Sequence, residues 1–388
     1  MKLADILKNN MRSYGMIVAL MFIILLFSIL SDGILLRPLN VTNLILQNSY
    51  ILVLAIGMVM VIIAGHIDLS VGSVCAFIGA IAAIFMIEMQ MPTAIAVFLC
   101  LLLGALIGAW HGFFIAYLKM PSFIVTLAGM LLFRGLTMVV LGGQSISPYP
   151  AEFRLISSGF LPDIPFLGLS SYHVLTIVVG FLLSLFVIFS EWKERRVQLK
   201  NQFNVLPTGF FITKLIGMVA VINIFTFVLA SYRGIPNILV ILFVLIVVFS
   251  FIMNKTVMGR HIYATGGNQK AAELSGVKTK RVTFWVFVNM GFLSAMAGLI
   301  YAARLNAATP RAGTMFELDA IAAAFIGGAS MAGGVGTIVG AVVGGLVMGV
   351  MNNGMSLIGI SIDWQQAIKG LVLLAAVGFD IYNRNKAK

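Results

Sequence analysis

The chain has 388 residues, 61% of them hydrophobic and 10% charged, with a net charge of +12; its mean hydropathy is +1.07 and its pI about 9.9. Soluble domains carry about a quarter charged residues, so this composition excludes a water-soluble surface. It also excludes nucleic-acid binding as the simple reading of the charge, because the cations lie in loops between apolar runs and are not interleaved with aromatics on a polar face.

Long continuous apolar runs, in place of the short alternating segments of a membrane barrel, predict an all-α fold. At about 20 residues per crossing, the chain has room for a polytopic transmembrane bundle of about 10–12 spans. The runs fall near 15–36, 44–64, 68–88, 94–118, 122–141, 173–190, 212–231, 236–253, 282–303, 317–332, 335–357 and 364–382. Residues 1–12 are basic, and the run after them is too long for the core of a signal peptide, so it is expected to stay as the first helix. Cations gather in alternate connections, around Lys119, Lys193–Lys200, Lys255–Arg281 and the C-terminus, while the opposite loops hold only Arg37, Arg154, Arg233, Arg304 and Arg311. This asymmetry predicts both termini in the cytoplasm and the whole chain, 1–388, as one transmembrane domain.

Ionisable groups within spans are costly, which makes them the first functional suspects. Asp68 lies between two runs with almost no polar linker, flanked by Gly65, Ser70, Gly72 and Ser73. Two readings are open: a broken helix whose free backbone groups line a hydrophilic path, or a cap on the third span with Ser70 beside it. In the fourth span Gly104, Gly108 and Gly112 recur every fourth residue, a flat groove for close helix packing. Arg134 needs a carboxylate or carbonyl partner, and a structural ion pair is expected. The outer loop 142–172, rich in Gly, Ser and Pro, suits a lid or a docking surface.

Further along, the inner loop 254–281 contains Gly259, Arg260, Tyr263, Gly266, Gly267, Asn268, Ala271, Leu274, Ser275 and Gly276. Asn268 is a good N-cap and Gly276 a good stop, so 269–275 should form two helical turns with Ala271, Leu274 and Ser275 on one face. Such a helix suits insertion into a groove on a partner, or it lies on the membrane surface. Glu317 and Asp319 open the tenth span, where negative charge suits a helix N-terminus. Gly336, Gly340 and Gly344 repeat the glycine spacing in the eleventh span, Asn352 and Asn353 form a polar pair late in it, and Lys369 in the last span is expected to be paired within the bundle. Cys75 and Cys100 fall inside apolar runs without metal-ligand spacing to any histidine. No phosphate-binding Gly-x-x-x-x-Gly-Lys-Ser/Thr motif, metal cluster or Ser/His/Asp set stands out, so driving energy must come from elsewhere.

The stretches 65–73, 133–137, 259–276, 317–323 running on to Gly327-Gly328, and Asn352-Asn353-Gly354 resemble the permease subunits of bacterial ABC importers for monosaccharides, over most of the chain. The resemblance implies a permease in the bacterial cytoplasmic membrane, working with a second copy of itself. It further implies a cytoplasmic ATPase with two nucleotide-binding domains that holds ATP and Mg, and an extracytoplasmic sugar-binding protein. The permease itself would need no cofactor and no metal. The 259–276 loop would be the ATPase docking element. Relative to shorter ribose-type members, a hairpin at 173–231 looks inserted, as in the xylose or multiple-monosaccharide branch. Permeases for branched-chain amino acids or nucleosides share the plan and remain the alternative, with an ion-coupled secondary transporter behind them.

Overall fold

A computed structural model of the chain describes residues 11–164, 172–203 and 205–386. The basic stretch 1–12 falls almost wholly outside these residues, as does the 165–171 part of the outer loop. The fold is helical throughout the described residues: α1 (Met11–Leu30), α2 (Pro38–Ile63), α3 (Val71–Ala83, prolonged by a π turn at Ile84–Glu88), α4 (Thr93–Ala116), α5 (Ser122–Leu141), α6 (Ala151–Ser158), α7 (Val174–Lys200), α8 (Thr208–Ala230), α9 (Asn237–Lys255), α10 (Val257–Gly267), α11 (Gln269–Leu274), α12 (Thr279–Leu305), α13 (Phe316–Ile326), α14 (Ile338–Leu357) and α15 (Ile362–Lys386). Proline marks several starts: Pro38 opens α2, and Pro92, Pro121 and Pro207 immediately precede α4, α5 and α8. Left-handed residues mark stops, with Gly65 at φ +86° after α2.

Among the described residues, nine helices are long and apolar enough to cross a membrane: α2, α3 with its π turn, α4, α5, α7, α8, α9, α12 and α14. The chain is therefore a polytopic membrane bundle. The tenth expected span is corrected. In place of a continuous helix over 317–332 there is α13, whose 11 residues reach only about 16 Å, followed by a glycine-rich loop. Glycines at 327, 328, 333, 334 and 336 are apolar enough to pass for a span but too flexible to hold one.

Two compact units emerge. The larger holds the stretches up to Leu35, Leu44–Ser158 and from Ile238 on. Within it α2, α3, α12 and α14 are interior, with 83%, 67%, 72% and 72% of their apolar windows buried, against 28% for α4 and α9. Helix α12 lies along α4 through glycine. A Cβ on Gly104 or Gly108 would overlap the Gly291 or Phe287 carbonyl, one on Gly112 would press on Phe284, and one on Gly291 would overlap the Gly104 carbonyl. In α14, Gly344 and Gly340 meet the Ala323 and Gly327 carbonyls at the end of α13. Gly336 is not part of that row: it precedes the helix, in the loop, against Ile63 and Val59.

The smaller unit comprises Leu36–Asn43 and Gly159–Asn237, chiefly the α7–α8 hairpin. Its base is tied by backbone hydrogen bonds from Leu161 to Ile235 (3.0 Å) and from His173 to Ala230 (3.0 Å). Further in, Gly180 packs on Thr226, and the Asn223 amide donates to Ser184 Oγ at 2.8 Å. Only 17% and 11% of the two apolar windows are buried, so most of this hairpin's surface is apolar and open.

Candidate coupling segment and buried polar groups

The 254–281 loop is more helical than the sequence suggested. Thr256 caps α10 by accepting the Gly259 N–H, and Asn268 caps α11 by accepting the Ala271 N–H at 3.0 Å. Gly276, at φ +85°, ends the segment. Ala272 is buried, whereas Ala271, Leu274 and Ser275 face outward and Leu274 is 91% exposed. The leucine therefore stands at the outer face of a short, well-capped polar helix. Glu273 braces the end of the helix: its carboxylate accepts from Thr279 Oγ1 at 2.6 Å and Gln269 Nε2 at 3.2 Å, which lowers its pKa below the ordinary carboxylate value.

Behind that face the segment is bolted to the bundle. A Cβ on Gly266 would overlap the Ile63 carbonyl at the end of α2 and crowd the Gly334 nitrogen. Gly334 in turn donates its N–H to the Ile63 carbonyl at 2.8 Å. Tyr263 donates its hydroxyl to the Gly336 carbonyl at 2.7 Å, and burial raises its pKa. Gly333 and Gly334 lie on the Gly266–Gly267 backbone. Thus α10 touches two elements at once, the end of α2 and the loop between α13 and α14. The sequence signal for this joint was present in the 333–336 glycines, but Gly333 and Gly334 fell between two expected spans and Gly336 was read as part of the eleventh, so it pointed nowhere. Arg260 is exposed, and Gly259 packs on the Ile252 and Met253 carbonyls at the end of α9.

Five residues beyond Ile63, Asp68 is buried and accepts from the Ser70 N–H (2.8 Å) and Ser70 Oγ (2.6 Å), a turn that precedes α3 and holds its N-cap residue Ser70 without capping the helix N–H groups. Ser73 Oγ is buried without a partner. Arg134 departs from expectation: it donates to the Ala312 carbonyl instead of forming an ion pair. A carbonyl in a tight turn serves a guanidinium without a second buried charge, and Gly313 makes that turn possible by lying against the Gly72 carbonyl. Glu317 Oε2 is buried without a partner, whereas Asp319 holds Lys369 at 2.9 and 3.3 Å, tying α13 to α15. Asn353 is buried, and Asn352 Oδ1, on the same helix, is buried without a partner. Arg134 of α5, Glu317 of α13 and Gly72 of α3 draw together around the Ala312–Gly313 turn, whereas Asp319 pairs with Lys369 between α13 and α15, and Asn352 and Asn353 lie in α14. Among the buried polar residues that the sequence reading did not single out is a histidine. His111, 1% exposed, keeps Nε2 unpartnered and takes the space that a side chain at Gly129 would need. Nothing in the apolar run around it distinguishes it from a core histidine.

The first half of the outer loop is a fixed surface, not a free lid. Ile146 and Ala308 bridge as an antiparallel pair, Tyr149 donates its N–H to Asn306 Oδ1 at 3.0 Å, and its hydroxyl reaches the Gly79 carbonyl at 2.7 Å.

Residues 40–377 match the family model described as branched-chain amino acid transport system / permease component. The chain is similar to the xylose transport system permease protein of Haemophilus influenzae, with 41% identity over 378 residues, covering 97% of this chain and 98% of that protein. It is 38% identical to the xylose transport system permease protein of Escherichia coli K12 over 379 residues, covering 97% of this chain and 94% of that protein. To the ribose import permease protein of Haemophilus influenzae it is 35% identical over 343 residues, covering 88% of this chain and 85% of that protein. No solved structure matches significantly.

Proposed function

The chain belongs to the family described as branched-chain amino acid transport system / permease component, and from its near full-length similarity to xylose and ribose permeases we propose that it is the membrane permease of a monosaccharide importer, with xylose as its first candidate substrate. In this reading it sits in the bacterial cytoplasmic membrane with both termini inside. A second copy completes the pore, a separate ATPase with two nucleotide-binding domains binds ATP and Mg, and an extracytoplasmic binding protein delivers the sugar. The family description also names branched-chain amino acids, but the xylose permeases cover nearly the full length of both chains, which favours the sugar.

The observation that carries the mechanism is the position of α10–α11. Its outward face offers Leu274 and Ser275 to the ATPase, and its inner face presses Gly266 on the end of α2 and Tyr263 on the loop before α14. A rigid displacement of this segment, driven by closure of the ATPase, would move both elements together. Because α2 leads into the Asp68 turn and the loop follows α13, one push reaches the two polar regions of the bundle and supports alternating access.

The test is uptake of labelled xylose into vesicles holding this chain, its ATPase and its binding protein. Gly267 is exposed and a Cβ there meets nothing within 4 Å, so Gly267→Trp adds bulk beside the docking face from a position that admits a side chain. It should abolish uptake and ATP-coupled turnover, as should Arg260→Glu, with insertion unchanged. Normal uptake in both variants overturns the docking assignment, and uptake with no ATPase present overturns the importer reading.

A further inference from the structure

The cytoplasmic end of the α7–α8 hairpin sorts its charges onto opposite faces. The sequence 191–200 reads Glu-Trp-Lys-Glu-Arg-Arg-Val-Gln-Leu-Lys, all of it within α7. Glu191, Glu194, Arg195 and Gln198 share the face turned to α8, where they line a small cleft with Phe211 and Lys214. There each charged side chain has a partner. Lys214 Nζ sits 2.8 Å from Glu191, Gln198 donates to Glu194 at 3.1 Å, and Arg195 stacks over the Phe211 ring while donating to the Leu206 carbonyl and Thr208 hydroxyl. Lys193, Arg196 and Lys200, at helical spacing on the opposite face, are exposed and make no hydrogen bond or ion pair among the described residues. Glu191 is thus paired with a cation inside the hairpin, Glu194 is held on the same face by the Gln198 amide, and three cations are left on one outer stripe.

That stripe is continuous with a membrane-facing one. Leu182, Phe186 and Phe189 precede it at the same spacing and are 56%, 66% and 68% exposed. At 1.5 Å per residue, the roughly 30 Å hydrocarbon layer entered at Val174 ends after about twenty residues, near Lys193. The three cations therefore occupy the next ~10 Å, the depth of the headgroups, with Trp192 exposed beside them as an interfacial anchor. Given the orientation proposed above, we infer that Lys193, Arg196 and Lys200 form a binding stripe for anionic phospholipid headgroups on the inner leaflet, fixing the depth and tilt of the hairpin. The apolar-to-basic continuity along one lipid-facing stripe favours lipid over a protein partner.

The test uses the purified full chain reconstituted in phosphatidylcholine with spin-labelled phosphatidylglycerol or spin-labelled phosphatidylcholine as reporter, reading the motionally restricted fraction at the protein surface. The wild type should select phosphatidylglycerol, and Lys193→Gln/Arg196→Gln/Lys200→Gln should lower that selectivity at least ~5-fold, the loss expected for about one surface cation. Selectivity should fall with salt and respond to inorganic phosphate only as it does to chloride of equal ionic strength. Glu191→Gln/Lys214→Gln, which removes a matched pair and no net charge, should leave it unchanged. Equal selectivity in wild type and triple variant overturns the inference. Stronger displacement by phosphate than by chloride assigns the stripe to free phosphate and also overturns it, as does a variant that keeps its lipid selectivity but loses ATPase association. Failure of xylose uptake in the vesicle assay leaves this lipid measurement untouched, so the two readings fail separately.

Discussion

Lys369 and Asp319 join α15 to α13 by a contact in which the carboxylate side chain is only 6% exposed and the ammonium 22%. An isolated carboxylate there has no water to stabilise it, so removing the lysine costs more than the pair itself contributes. Lys369→Ala should lower unfolding stability by about 3 kcal/mol, the low end for a buried pair because the lysine keeps some exposure. Asp319→Asn combined with Lys369→Met should recover most of that loss, since no charge is then left unpaired. Thermal unfolding of the three detergent-purified forms checks this, and additive losses in the double variant would show that the two side chains act separately. The pairing of Lys369 was legible as a need, because a lysine in a span must find a partner, but its partner was not. Fifty residues separate the two, and only the packing of a half-length helix against α15 brings them together. Arg134 shows the opposite case. Its need was equally plain, yet a turn carbonyl met it, and no residue type in the sequence announces a free backbone carbonyl.

Helix pairs in this bundle are set by glycine more than by charge. The α4–α12 contact is reciprocal, since Gly104 and Gly108 receive the backbone of α12 while Gly291 receives that of α4. Backbones this close gain dispersion along their whole length, and any side chain at the crossing must push the helices apart. Gly108→Leu or Gly291→Leu should therefore prevent a stable, monodisperse chain. By contrast Gly135→Leu, at a glycine in α5 that faces open space, should leave size-exclusion behaviour unchanged. If Gly108→Leu purifies as the wild type does, the glycine contact is not what holds the two helices. The row in α4 could be read directly from its spacing, but its true counterpart, Gly291, has no glycine three or four residues away in α12 to betray it, the other glycine there, Gly298, lying seven residues on against Cys75. The 336–344 row was half legible for the same reason. Spacing cannot tell a glycine that admits a neighbouring helix from one that lets the chain turn.

The helix count shows where apolar sequence stops being informative. Most spans were legible because twenty apolar residues between turn signals admit few other structures in lipid, and α5 falls at Ser122–Leu141, the limits its run predicts. The 317–332 stretch was misjudged because α13 is buried in protein, where a short helix followed by irregular backbone is tolerated and hydropathy looks the same. The hairpin was legible as an extra pair of spans, and its independence follows from the contacts at its base. His173 and Ala230, at the outer ends of α7 and α8, are joined by a 3.0 Å backbone hydrogen bond, so the chain enters and leaves the hairpin at one point. Excising Val174–Ala230 and closing the gap with a short glycine linker removes two crossings and needs no movement of the flanking residues. Because an even number of crossings is lost, the C-terminus should stay on its original side, and the larger unit, which forms its own compact set of contacts, should still insert and purify as a folded species. Protease protection of a C-terminal tag in inverted and right-side-out vesicles reads the orientation, and a thermal midpoint within a few degrees of the intact chain reads the fold, for a loss of about 1 kcal/mol or less. A tag that changes sides, or a chain that aggregates on extraction, would mean that the hairpin is structurally required and not an addition to a self-sufficient bundle.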